Sequence, residues 1–186
     1  MIPNDVAFDG KISYMDPDLG TRVYRSCRLD RPGSYELHFR FVEFNSPYRQ
    51  ALQLSFSRDP KFKGKAWLNG EKLPILRKRT ESYLFKEDGV PDNEFIIKLD
   101  MTEGYISLRN ASNLLRKDDD IRKRFFEMTG RELDESKAES FTGGRYANAF
   151  WVEKLENHVY RFHCNDHEMD DDFNDFIFDL QVNILK

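Results

Sequence analysis

Between Asn165 and Asp175 the chain reads Asn-Asp-His-Glu-Met-Asp-Asp-Asp-Phe-Asn-Asp, and an alternating pattern follows at once from Phe176 to Ile184. Oxygen side chains packed this densely repel one another unless solvent or a hard cation neutralises them, and Ca²⁺ is the cation best matched to such a set. It takes about six to eight oxygens at roughly 2.3–2.6 Å. Asp170, Asp172 and Asn174 stand two apart, so in an extended or turning segment they can converge on one ion while backbone carbonyls fill the remaining positions. An EF-hand is excluded, because Asp175 stands where its glycine is required and Gln181 where its bidentate glutamate belongs. The competing reading is a solvated acidic loop whose Asp and Asn side chains cap turns.

Other chemistry is thinner. His158, His163, Cys164 and His167 offer zinc-type donors, but His163 and Cys164 are neighbours on a strand pattern and point to opposite faces. The same objection applies to a Cys164–His nucleophilic pair. Gly-x-Ser-x-Gly, a phosphate loop and His-Glu-x-x-His do not occur. Carboxylates are abundant without any known spatial separation, so no glycosidase pair is assigned and no enzyme is predicted. A binding role is open to the aromatic residues Tyr14, Trp67, Tyr83, Tyr105, Tyr146 and Trp151. Flat rings stack on sugars, and a neighbouring Asp, Asn or Arg fixes hydroxyls. Tyr146, in Gly143-Gly144-Arg145-Tyr146, is the foremost exposed candidate, with Arg145 beside it and Trp151 downstream.

The elements that must position these residues are mostly strands. Tyr35, Leu37, Phe39 and Phe41 share a face opposite Glu36, His38 and Arg40, as a half-buried antiparallel strand requires. Shorter patterns cover 11–15, 22–29, 51–57, 66–68, 83–86, 95–99, 105–109, 148–155 and 159–164. Asn69-Gly70 predicts a two-residue hairpin pairing 65–68 with 71–76. One helix is predicted over 119–129, where Ile121, Phe125 and Met128 form a stripe for the sheet and Gly130 supplies a left-handed stop. The expectation is a single all-β domain over 1–186, mainly antiparallel and of jelly-roll-like β-sandwich type, with a helix-containing insertion at 110–146.

Two resemblances follow from particular residues. Pro32-Gly33-Ser34-Tyr35, opening the strand to Phe41, with Ala66-Trp67-Leu68-Asn69-Gly70 downstream, resembles galactose-binding-like domains and related carbohydrate-binding modules over about a third of the chain. This implies a jelly roll that recognises glycans without catalysis. Asp170-Asp171-Asp172-Phe173-Asn174-Asp175-Phe176-Ile177-Phe178 resembles a signature of bacterial β-sandwich domains taken to bind calcium. That resemblance implies Ca²⁺ held by Asp170, Asp172, Asn174 and Asp175.

Composition narrows the partners. The 186 residues are 33% charged with a net charge of −4, and the basic residues are dispersed among carboxylates, which argues against nucleic acid. Aromatics at 14%, including sixteen Phe, indicate a packed core rather than a disordered acidic chain. Cys27 and Cys164 are expected as buried free thiols. No apolar stretch is long enough to span a bilayer and no leader pattern opens the chain. The expectation is a cytoplasmic protein without a membrane partner, or a secreted one if a leader has been removed. Two functional readings follow: a non-catalytic, calcium-stabilised module that recognises a glycan or other ligand, and a cytoplasmic interaction or inhibitor/immunity-type protein whose acidic loop meets a basic protein surface.

Overall fold

The structure, a computed structural model, describes residues 8–116, 121–132, 141–142, 149–165 and 172–185. In chain order the strands are β1 (Phe8–Asp16), β2 (Thr21–Leu29), β3 (Gly33–Phe44), β4 (Tyr48–Phe56), β5 (Lys63–Leu68), β6 (Glu71–Leu73), β7 (Tyr83–Lys86), β8 (Glu94–Glu103) and β9 (Ile106–Arg116). The helix α1 (Ile121–Thr129) follows, then β10 (Phe141–Thr142), β11 (Phe150–Lys154), β12 (Val159–Cys164) and β13 (Phe176–Leu185). Every pairing among them is antiparallel, in the order β6-β5-β8-β3-β13-β12-β11-β2-β9-β4-β7, with β1 beside β2 and β10 beside β9.

This long sheet curls back on itself. β7 and β8 are far apart in the strand order, yet Phe85 of β7 stacks on Phe95 of β8 at 4.1 Å between ring centroids, and Phe95 stacks on Phe39 of β3 at 4.7 Å. The inner face therefore closes on one core, sandwich fashion. Phe162 on Phe178 at 4.5 Å extends it through β12 and β13. Each such pair contributes about 0.5–1.5 kcal/mol beyond the apolar area it buries. Cys27 and Cys164 lie in this core as free thiols, and desolvation raises the pKa of both.

The predicted strands reappear, most of them extended at one end or both; 83–86 and 159–164 keep their bounds, and 148–155 contracts to Phe150–Lys154. The Asn69-Gly70 turn forms with φ of 50° and 87°, pairing Leu68 with Glu71 and Ala66 with Leu73. Two expectations need correction. The segment 110–116, placed in the insertion, continues β9 beside β4. Asn110 and Ser112 of this segment are buried, and the Asn110 amide donates to the Asn165 carbonyl at 2.6 Å. The helix ends as predicted, Gly130 accepting φ of 66° and donating its N–H to the Phe126 carbonyl. Met128, however, is 86% exposed rather than packed on the sheet. A stripe of apolar residues shows which side chains share a face, not how much of that face is covered.

Candidate functional site

The acidic run enters the described structure at Asp172. Phe173, at φ of 51°, turns its ring inward and is buried with Val23 and Ala149, and Trp151 packs against the group. The neighbouring polar groups are tied into the fold. The Asp172 carboxylate accepts the Asn174 N–H at 3.3 Å, the Asn174 carbonyl accepts the Asn45 amide at 3.0 Å, and the Asp175 carbonyl accepts the N–H groups of Asn45 and Ser46. Asp172 and Asn174 are exposed, whereas Asp175 is buried. Among the described residues no three of His, Cys, Asp and Glu converge as a metal site. The described half of the loop is thus organised by an apolar plug and hydrogen bonds. Asp170, the remaining expected ligand, lies outside the described residues.

Of the aromatic candidates, Tyr146 and Arg145 also lie outside the described residues. Trp151 is half-buried on the outer face of β11, its ring stacked on His163 at 4.0 Å and 1°. One face of the indole is therefore occupied within the protein. His163 also meets Glu153 at 3.2 Å, while Cys164 faces the core, so the two neighbours do point opposite ways.

The outer face of β8-β3-β13-β12 gathers a larger set of groups. Strand pairing aligns Glu94, Arg40, Asp179, Arg161 and Glu153 in one row of alternating charge. The adjacent row holds Ile96, His38, Gln181 and Val159. Side chains directly opposite on neighbouring strands lie about 4.5–5.5 Å apart, so the first row is a continuous charged track and the second sets His38 and Gln181 between apolar Ile96 and Val159. Arg161 grips Asp179 with two bonds, Nε at 2.8 Å and Nη2 at 3.0 Å, and Arg40 approaches the same carboxylate at 3.7 Å. That grip raises the Arg161 pKa. His38 contacts Glu36 at 2.7 Å, and Lys98 contacts the other Glu36 oxygen at 3.2 Å. The His38 hydrogen bond, followed by that of Lys98, lowers the Glu36 pKa.

A cleft of about 1010 Å³ lies over these rows, between Asn69 of the β5–β6 turn and Lys154–Glu156 before β12. The Asn69 side chain is fixed by the Ile96 N–H at 2.8 Å, and the β11–β12 turn closes through Leu155 and Val159. Its lining carries Arg40, Lys154 and Arg161 against Glu94, Glu156 and Asp179, three cations and three anions. Ile96, Leu155 and Val159 add apolar contact surface. Alternation along β3 and β13 already marked Glu36, His38, Arg40, Asp179 and Gln181 as an outward face. Their union in one cleft depends on β3 pairing with β13, residues some 140 positions apart in cases such as Arg40 and Asp179, which periodicity does not disclose.

Comparison of the chain with models of protein families, with characterised proteins and with solved structures finds no match.

Proposed function

We propose that the chain is a non-catalytic recognition module of galactose-binding-like, jelly-roll character, and that the outer-face cleft receives a neutral, hydroxyl-rich ligand such as a glycan. The observation that carries this reading is the balanced lining, three cations beside three anions in a space of about 1010 Å³. A sugar hydroxyl both donates and accepts, so it suits a wall where guanidinium and amide donors alternate with carboxylate acceptors. A polyanion or a strongly basic protein surface would meet like charges at every second position. The Arg161–Asp179 fork and the Asn69 bond hold polar groups in place before binding, which lowers the entropy lost on association. Burial and raised pKa also leave both thiols poorly suited to act as nucleophiles.

A glycan array probed with the parent protein, Gln181→Ala and Tyr146→Ala tests the reading. Binding lost in Gln181→Ala and retained in Tyr146→Ala supports the cleft; the reverse returns the site to the Arg145-Tyr146 segment. No glycan bound, together with a salt-sensitive protein complex recovered from extract, favours the acidic interaction surface instead. Calcium enters the proposal as an ion that would stabilise the loop around Asp170, Asp172, Asn174 and Asp175. A midpoint of unfolding that rises with Ca²⁺ and falls back with a chelator supports it, and equal midpoints remove it.

A further inference from the structure

A second hollow lies on the other half of the sheet, over β2, β9 and β4, and its chemistry differs from that of the cleft. Strand register places Arg28 opposite Ser107 and Ser107 opposite Ser55, while Arg109 stands opposite Gln53 one pair further along. Two small hydroxyl side chains between long ones leave a depression, with a volume of about 360 Å³. Arg28, Arg58, Arg79 and Arg109 line it against two carboxylates, Asp59 and Glu81. Glu81 is also engaged by Lys78, which meets its Oε1 at 3.5 Å. No ion pair joins any of the four arginines to a described acid, and the Nε of Arg28 is buried without a hydrogen-bond partner.

The surroundings hold this cationic set in shape. The Arg28 guanidinium lies 4.1 Å from the centre of the Tyr105 ring, and the Tyr105 N–H is fixed by the Ser57 hydroxyl at 2.8 Å. The segment carrying Arg79 is pinned where the Gln53 amide donates to the Ser82 hydroxyl at 2.7 Å. Guanidinium forks with hydroxyl donors beneath them match the oxygens of a tetrahedral anion, which they bind in bidentate fashion.

We propose that this hollow is an oxyanion site that takes the phosphate or sulfate group of a ligand, separate from the outer-face cleft. Its failure would leave the glycan reading untouched, because the two sites use different strands and the hollow carries an excess of cations that the balanced cleft lacks.

Inorganic phosphate and sulfate serve as probes, each compared with chloride at equal ionic strength in thermal unfolding. Both should raise the midpoint saturably, by about 3–6 °C at tenfold the half-saturating concentration. Arg28→Met with Arg109→Met should abolish the rise, and Arg40→Met in the cleft should keep it. The proposal is overturned by no anion-specific rise in the parent protein, or by an equal rise in the double variant. Should the double variant not fold, amide shifts in a phosphate titration of the parent protein and of Arg109→Gln decide instead. Shifts centred on Tyr105 and Ser107 that weaken in Arg109→Gln sustain the site, and shifts spread over other surfaces overturn it. A phosphate response that strengthens from pH 6 to 8 while that of sulfate stays level identifies preference for the phosphate dianion.

Discussion

Replacing Arg161 by Met tests how the cleft wall is held together. The substitution keeps an apolar stem of similar length and removes the fork that reaches Asp179 at 2.8 and 3.0 Å. The carboxylate left behind is the more buried partner, 11% exposed against 29% for Arg161. Its remaining cation, Arg40, is 3.7 Å away on a side chain 58% exposed. Removing one partner of a fully buried pair costs about 3–5 kcal/mol. Solvent in the open cleft and the persistence of Arg40 reduce this to about 2–3 kcal/mol. A chain of this size shifts its midpoint by about 2–4 °C per kcal/mol, so the expected fall is about 4–12 °C. Asp179→Asn instead strands the more exposed guanidinium, and its amide oxygen still accepts one bond, so the loss is nearer about 1 kcal/mol, or about 2–4 °C. Calorimetry at pH 7 on both variants and on the pair Arg161→Met with Asp179→Leu provides the assay. The pair should melt closer to the parent than Arg161→Met alone, because no unpaired carboxylate remains. A larger fall for Asp179→Asn than for Arg161→Met would refute the argument that the stranded carboxylate sets the cost.

Other perturbations follow from single contacts. Gly104→Ala should destabilise by about 2 kcal/mol or more, since the backbone has φ of 89° and the new Cβ would meet Ser57 Oγ and lie 2.7 Å from Phe62 Cα; denaturant unfolding measures it. Phe173→Ala should cost about 3 kcal/mol, the lower end for a buried Phe, because the Val23–Ala149 cluster it leaves is small. Glu36 has a folded pKa below its ordinary 4.5, so its contribution is present above that value and is lost as pH falls through the depressed folded pKa. Glu36→Gln should therefore lose less stability than the parent as pH drops below about 4.5, as acid titration followed by circular dichroism would record.

Much of the scaffold was legible because strand patterning is local. The stretch Val159 to Cys164 shows its inner members Tyr160, Phe162 and Cys164 by alternation alone, and Asn69-Gly70 declares a turn by the φ values it tolerates. The end of β9 was hidden because Asn110 and Ser112 are polar residues buried inside the protein, the Asn110 amide donating to the Asn165 carbonyl, and their polarity masks the strand pattern. Met128 was misplaced for the converse reason, since an apolar residue on a helix need not have anything above it. The acidic run drew attention as the densest concentration of oxygen donors. In its described part, Phe173 and the bonds from Asn45 and Ser46 do the organising, a role that only the tertiary neighbours reveal. The cleft and the arginine-lined hollow both arise from which strands pair. Arg40 meets Asp179, and Arg28 meets Ser107, across separations in the chain that carry no periodic signal.

The claim that the outer face of β8-β3-β13-β12 is the recognition surface is tested most directly by amide chemical-shift mapping during titration with the strongest array ligand. The account predicts saturable shifts concentrated on His38, Arg40, Arg161, Asp179 and Gln181, abolished in Gln181→Ala. Saturable shifts centred elsewhere, with these five residues unmoved, would contradict it.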